Sequence, residues 1–171
     1  MRSLLTGQDI RYLLEQQERL DADIRKKLSI NDTEWLEMNI EHDIALRVEV
    51  AEFVNACYKS WKYWKSKPMD RNAILDEAID VIHFVMLHHN KHYDLGITTK
   101  TISDTLEVAR QLEDESEVRE RLHYILIYTN KFEILIKLLE ILDFYDFDRK
   151  QIMQAYRDKN KVNFERLAEG Y

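Results

Sequence analysis

Apolar residues recur along the chain at steps of three and four, the spacing that lines one face of an α-helix. The first such stripe predicts a helix over 8–28, and the segment SINDT at 29–33 predicts a break because it is rich in helix-capping residues. A second helix is predicted from 34 to about 64, ending before Pro68, since the residue preceding a proline is pushed out of helical geometry. The side of this helix expected to be buried carries Ile44, Val48, Ala51, Phe53 and Val54.

The pattern continues after Pro68 with a third helix, predicted over 71–92. Its apolar face carries Ile74, Leu75, Ala78, Ile79, Ile82 and Val85. Gly96 is expected to mark the turn that follows, because glycine interrupts helices.

The remainder of the chain is also helical in pattern. The polar stretch 100–120 predicts one exposed helix followed by a helix start. Residues 121–143 are apolar with helical periodicity, which is broken near Asn130, and a final helix is predicted over 148–160 or beyond.

Composition supports an all-α helical bundle. Three glycines and one proline among 171 residues favour long helices and few turns, since both residues interrupt secondary structure. The length suits one domain over 1–171, with a possible smaller helical lobe at about 96–147.

Charge and cysteine content narrow the environment and the partners. A formal net charge of −7 disfavours non-specific binding to nucleic acid, although a bound metal could still attract a phosphate ligand. The single cysteine, Cys57, excludes an internal disulfide and fits a reducing cytosol. No apolar run is long enough to span a bilayer, so we expect a cytoplasmic protein that binds neither membrane nor nucleic acid.

Four carboxylates carry the clearest sign of chemistry. Glu49 and Glu52, and likewise Glu77 and Asp80, are spaced i, i+3, which places both side chains of a pair on one helix face. Both pairs stand among apolar residues, so they are expected to point toward a helix interface, where uncompensated charge is costly. A divalent cation would remove that cost, and oxygen ligands from two adjacent helices suit Mg²⁺. A solvated acidic face is the alternative, and the pattern alone leaves the two interpretations about equal.

Other patterns have both a functional and a structural interpretation. HHNKH at 88–92 has the i, i+4 histidine spacing of a zinc site, but surface histidines are favoured because no further ligands accompany them. His83, one turn after Asp80, could orient a ligand or be a satisfied core histidine. The tryptophans and lysines of SWKYWK at 60–65 could bind a base and phosphates or cap the core. The basic residues of the C-terminal run 156–171 could clamp phosphates or form a polar helix end.

Together these segments resemble the dimeric, all-α dUTPases, a family related to MazG-like pyrophosphatases. LLEQQERLDADI resembles the opening element of that family, and ALRVEVAEFVNACYKSWKYW resembles its ExxE helix with the signature that follows. ILDEAIDVIHF resembles the ExxD element, and AYRDKNKVNFERLAEGY resembles the closing motif. The four elements occur in the family's order, whereas 91–149 carries no recognisable signature.

The resemblance implies the all-α NTP pyrophosphatase fold with a variable helical insert, and a homodimer that hydrolyses dUTP to dUMP and pyrophosphate. The residues implied to hold Mg²⁺ are Glu49, Glu52, Glu77 and Asp80. The metal would neutralise charge and activate a water for in-line attack at phosphorus, and Glu49 would accept the proton of that water. The residues implied to contact substrate are Gln17, Asp21, Lys62, Trp64, His83, Phe84, Lys159, Asn163, Arg166 and Tyr171.

Within that set, the resemblance assigns Gln17 and Asp21 to uracil and Lys159 and Arg166 to phosphates. Two alternatives stay open. The same scaffold could act on another deoxynucleotide, such as dCTP, with only the base pocket changed. It could also be a helical interaction protein that binds a regulator through 91–149, although the intact carboxylates argue against lost catalysis.

Overall fold

The computed structural model of the chain describes residues 5–93 and 95–170. Within these ranges the chain is built from α-helices and one short 3₁₀ helix, with no β-strand, which confirms the all-α prediction. The helices are α1 (Gly7–Leu28), α2 (Asp32–Glu37), α3 (Asn39–Ala56), α4 (Arg71–His92), α5 (Leu95–Leu106), α6 (Glu115–Ile127), α7 (Lys131–Phe144) and α8 (Arg149–Glu169). None of the helices in the described part of the chain combines the length and apolarity needed to cross a bilayer.

Several helices begin at polar residues whose side chains accept hydrogen bonds from the first turn. Thr6 and Asp9 form a capping box at the start of α1, and Asp148 and Gln151 form another at the start of α8. Asn130 caps α7, so the predicted break near this residue is confirmed. Such caps satisfy backbone N–H groups that have no partner within the helix, which fixes where each helix starts.

The prediction of a single helix over 34–64 is wrong. The chain breaks at Met38, whose ψ of 49° is not helical, and α3 then ends at Ala56. The early end has a local cause, because the indole Nε1 of Trp61 donates to the carbonyl oxygen of Val54 at 2.8 Å. That carbonyl would otherwise accept from the backbone of Tyr58 in the next helical turn, so the Trp61 side chain replaces the continuation of α3.

The segment after α4 also differs from the prediction. Gly96 lies in the first turn of α5 and does not mark a separate turn. The helix expected to be exposed within 100–120 ends at Leu106, and it buries Ile102 and Leu106 in the common core. Two apolar residues one turn apart are enough to dock a short helix whose remaining surface is polar.

α4 lies at the centre of the bundle and packs against α1, α3, α7 and α8. The predicted apolar face of this helix is buried, with Leu75 only partly so. Because α4 has neighbours on several sides, it also buries His88 and His89, so surface histidines are the wrong interpretation for these two positions.

The buried side of α3 was predicted wrongly in part. Ile44 is 59% exposed and Val48 is 47% exposed, and Ala51 is exposed as well. Phe53 and Val54 are buried as expected. The face that packs on the bundle is rotated about the helix axis from the predicted face. It carries His42, Leu46, Val50, Phe53 and Val54.

α3 and α4 run antiparallel, which brings the two acidic pairs to the same level. Lys91 near the end of α4 contacts Asn39 and His42 near the start of α3, at 3.1 and 3.0 Å. At the opposite end, Glu77 of α4 meets Glu52 of α3. The acids therefore face each other across the helix interface.

α1 and α8 complete the surroundings of this interface. His83 of α4 forms a hydrogen bond with Gln17 of α1 at 2.7 Å, and its ring stacks on Tyr156 of α8 with centroids 4.4 Å apart. One turn further along α8, Lys159 reaches back to Asp80 of α4. These contacts place side chains from α1 and α8 beside the carboxylates of α3 and α4.

Candidate active site

Glu49, Glu52 and Glu77 converge, with a carboxylate oxygen from each lying within 4.8 Å of the others. Glu49 and Glu77 are half-buried and Glu52 is exposed, so the group opens to solvent on one side. Oxygen ligands at this spacing could share one divalent cation after small side-chain rotations.

The closeness of these carboxylates contributes to raised pKa values. Burial, together with the charges of Asp80, Glu52 and Glu77, raises the pKa of Glu49 to about 7. The pKa of Glu77 is raised by burial and by Glu52, Asp80 and Asp76. Acids that raise one another's pKa in this way would be stabilised in their charged form by a cation between them.

Asp80, the fourth predicted ligand, is paired with a lysine. Its Oδ2 accepts from Lys159 Nζ at 2.6 Å, and the same ammonium lies 3.3 Å from Asp76. Burial raises the pKa of Asp80 and the Lys159 ion pair opposes that effect. Asp80 still acts on Glu49 and Glu77 through its charge, so it belongs to the same acidic group.

A cavity of about 510 Å³ opens beside these acids. Glu49 and Asp80 line part of it, and much of the remaining wall is apolar. The apolar and aromatic side chains of the wall are Leu20, Ile24, Leu28, Ile30, Trp35, Met38, Phe84, Leu87 and Leu167. A pocket that joins an acidic group to an apolar chamber suits a ligand with a charged end and a flat, weakly polar end.

A chain of hydrogen bonds links three polar side chains in the otherwise apolar part of the cavity wall. His83 Nδ1 pairs with Gln17 Oε1 at 2.7 Å, and Gln17 Nε2 donates to Asp21 Oδ1 at 2.7 Å. Burial lowers the pKa of His83 to about 3, so the imidazole is neutral and donates from Nδ1. The three side chains therefore fix one another's orientation along one wall of the cavity.

Comparison with protein-family models agrees with this geometry. The model described as dUTPase matches residues 9–171 of the chain. A comparison with curated proteins returned no match. The family match covers all the residues that build the acidic group and the cavity. The chain belongs to the dUTPase family. It is accordingly a dUTP diphosphatase, an enzyme that hydrolyses dUTP.

The closing motif of this dUTPase places three substrate candidates along one face of α8. Lys159, Asn163 and Arg166 follow one another at steps of four and three residues. Lys159 contacts the acidic group, whereas Asn163 and Arg166 line the cavity. Tyr171, the last residue of the predicted set, lies outside the described residues.

Lys62 and Trp64 are not part of the cavity wall. Lys62 Nζ donates to Asn55 Oδ1 at 2.6 Å, and Asn55 lies one helical turn after Glu52 on α3. Lys62 is thus held on the carboxylate side of the site. Trp64 is 64% exposed and packs edge-on against Trp61.

Two cavity residues of this dUTPase were missed in the sequence. Trp35 is buried, stands 4.6 Å from the ring of His42, and lies beneath the guanidinium of Arg25. Both Trp35 and His42 line the cavity. A tryptophan among polar residues in TEWLE was the available signal, but its partners come from distant parts of the chain.

Proposed function

We propose that this enzyme cleaves dUTP to dUMP and pyrophosphate in a magnesium-dependent reaction at the acidic group beside the cavity. The observation that carries the proposal is the convergence of Glu49, Glu52 and Glu77 at one end of a cavity that is largely apolar. A triphosphate would occupy the acidic end through the cation, and the base would occupy the apolar chamber.

The acidic residues fit Mg²⁺ by their chemistry. They offer oxygen atoms only, and the raised pKa values of Glu49 and Glu77 reflect burial and the neighbouring carboxylate charges, both of which a bound dication would offset. Glu49, Glu52, Glu77 and Asp80 would hold the metal. When bound, the metal supplies charge neutralisation and lowers the pKa of water.

The protein's own side chains supply the other functions. Glu49 is the proposed general base, because it is half-buried in the acidic group and also lines the cavity. Lys159 and Arg166 would balance phosphate charge from α8, with Lys62 as a weaker contributor. The other members of the proposed substrate-binding set are Gln17, Asp21, Trp64, His83, Phe84, Asn163 and Tyr171.

Pyrophosphate release from dUTP, dCTP and dTTP tests this proposal directly. We expect release that is fastest with dUTP, stops when EDTA removes divalent ions, and returns on addition of Mg²⁺ but not of Na⁺. Chromatography of the products should show dUMP in equal amount to pyrophosphate. Equal rates with dUTP and dCTP, or full activity in EDTA, would contradict the substrate or the metal assignment respectively.

A homodimer is part of the same proposal and is supported by an exposed apolar stripe on α3. Ile40 is 73% exposed, and it is followed at helical spacing by Ile44, Val48 and Ala51, also exposed. The end of α6 extends this surface. Arg47 of α3 donates to the backbone carbonyl oxygens of Leu126 and Tyr128, and the side chains of these two residues are exposed. Contiguous apolar patches on a surface mark association sites.

The Ile44→Lys variant should convert the dimer to a monomer. A lysine within a self-complementary interface is buried twice, once from each protomer, so the cost of desolvating the charge is doubled. Light scattering after size-exclusion chromatography measures the mass. Val108→Lys is the matched control, because Val108 is 70% exposed and lies outside the stripe. A wild-type chain that elutes as a monomer would contradict the dimer.

A cytoplasmic location completes the proposal. Cys57 is buried and unpaired, a state that a reducing compartment preserves. A regulator that binds through 91–149 stays a prediction, and a pull-down with that surface altered would test it.

A further inference from the structure

Lys159 occupies a carboxylate oxygen that the proposed cation would also use. Its ammonium lies 2.6 Å from Asp80 Oδ2 and 3.3 Å from Asp76 Oδ1. The side chains of Lys159 and Asp80 are 17% and 21% exposed, so water and salt screen this ion pair only in part. In the described part of the chain, the carboxylates that converge are those of the three glutamates, whereas Asp80 is held by Lys159.

A dication and an ammonium compete when they bind the same carboxylate oxygen. Mg²⁺ binds such an oxygen at about 2.0–2.1 Å, so an ammonium hydrogen-bonded to that oxygen would stand close to the metal charge. The repulsion is strong in a partly buried site because the effective dielectric constant is low. A cation that takes Asp80 Oδ2 must therefore displace Lys159.

Asp76 offers the ammonium a second partner one helical turn away. Asp76 and Asp80 are four residues apart on α4, which places both carboxylates on one face of the helix. Although burial lowers the pKa of Lys159, its contacts with Asp80 and Asp76 outweigh burial and leave the pKa raised. The two acids thus share one ammonium, and the flexible four-carbon stem of lysine allows a shift from one to the other by bond rotation.

The backbone that carries Lys159 is held in place during such a shift. One turn earlier on α8, Tyr156 is fully buried, stacks on His83 with centroids 4.4 Å apart, and donates to the carbonyl oxygen of Leu13 at 3.2 Å. These contacts fix α8 against α4 and α1, so only the lysine side chain has to move. Asp76 is 62% exposed, so the shift carries the ammonium toward solvent.

We infer that Lys159 competes with the divalent cation for Asp80, and that Asp76 holds the ammonium when the cation takes Asp80. The inference rests on the proposed function, because it needs a cation at the acidic group. Held at Asp76, the ammonium stays beside the site, where the phosphates of dUTP would draw it further from Asp80. Cation and nucleotide would then each strengthen the binding of the other, since both remove Lys159 from the same oxygen.

Binding of Mn²⁺ in the absence of nucleotide, measured by electron paramagnetic resonance, tests the competition. Mn²⁺ accepts the same oxygen ligands as Mg²⁺. Lys159→Met keeps an apolar stem and removes the ammonium, so Mn²⁺ should bind on the order of tenfold more tightly. The same variant should have a higher KM for dUTP, because a cation that balances phosphate charge is lost.

Lys161→Met is the matched control for this variant. Lys161 lies on the same helix, is 77% exposed and pairs with Glu165 at 3.7 Å. It should bind Mn²⁺ as the unaltered enzyme does, and circular dichroism should show equal helix content in all three proteins.

The Asp76→Asn variant tests the second partner. Without this carboxylate, Lys159 should stay on Asp80 more firmly, and Mn²⁺ should bind more weakly. The loss should be smaller when Lys159→Met is also present, whereas a direct effect of the Asp76 charge on the cation would not shrink there. Asp158→Asn is the control of equal charge, because Asp158 is exposed on α8 and bonds to Gln154.

Two results would overturn the inference while leaving magnesium-dependent dUTP cleavage intact. Mn²⁺ affinity in Lys159→Met that does not exceed that of Lys161→Met would mean that the cation and Lys159 bind Asp80 together. An Asp76→Asn effect of equal size with and without Lys159 would mean that Asp76 does not act through the lysine. Absence of Mn²⁺ binding in the unaltered enzyme and in every variant would instead contradict the metal site of the proposed function.

Discussion

Replacing Glu49 by glutamine is expected to lower kcat for dUTP by about 10²- to 10⁴-fold. The amide keeps the size of the side chain but cannot accept a proton, and it is a weaker ligand than a carboxylate for Mg²⁺. The loss should be large because Glu49 belongs to both halves of the site: it meets Glu52 and Glu77 in the acidic group and it lines the cavity with Asp80. Continuous measurement of pyrophosphate release gives the rate.

The control for this variant is Glu41→Gln on the same helix. Glu41 is exposed, two turns before Glu49, and lies outside the acidic group and the cavity wall. It should retain the rate of the unaltered enzyme, with circular dichroism showing equal helix content in all three proteins. Unchanged turnover in Glu49→Gln would show that Glu49 is not the general base. Glu52 and Glu77 would then be the candidates for that role.

The long helices and the meeting of the acidic pairs were predictable because they depend on local spacing. The i, i+3 separation within each pair fixes a shared face, and antiparallel packing of consecutive helices then brings those faces together. The pairing of Lys159 with Asp80 was not predictable in this way. It joins residues 79 positions apart in the sequence, and only the packing of α8 on α4 brings them into contact.

The buried face of α3 shows where periodicity fails. This helix is apolar on two faces, one with Leu46 and Val50 and the other with Ile44 and Val48. The spacing is helical for both, so the pattern cannot tell which face meets the core of its own chain. A second apolar face is expected on a helix that also contacts another molecule, which is why this error and the proposed dimer have the same origin.

The residues that line the apolar part of the cavity were only partly predictable, because their places depend on how separate helices pack. Gln17 and Asp21 of α1 are predicted as substrate-binding residues only through the resemblance to the family motif. Trp35 lies on α2, for which the spacing predicts the start of a longer helix. Its place in the cavity depends on the break at Met38, a backbone feature that no spacing rule predicted.

Replacing Glu140 by alanine is expected to destabilise the fold by about 3–5 kcal/mol. Glu140 has no exposed surface, and its carboxylate accepts from Arg121 Nε at 2.7 Å, from Lys137 Nζ at 3.2 Å and from the backbone N–H of Arg110 at 2.9 Å. The contacts join α7 to α6 and to the segment that precedes α6. Without the carboxylate, the largely buried guanidinium of Arg121 and the Arg110 N–H lose their partner in a medium that solvates them poorly.

Urea unfolding followed by circular dichroism measures this change as a shift in midpoint at constant slope. Glu120→Ala is the matched control, since Glu120 is 73% exposed and lies 3.7 Å from the same arginine on its solvent side. An exposed ion pair of that length contributes little, so the control should unfold with the unaltered protein. Glu140 lies outside the catalytic site, so kcat per folded molecule should stay unchanged in Glu140→Ala at low temperature. A midpoint equal to that of the control would mean that solvent replaces the carboxylate, and that α6 and α7 are held by their apolar contacts alone.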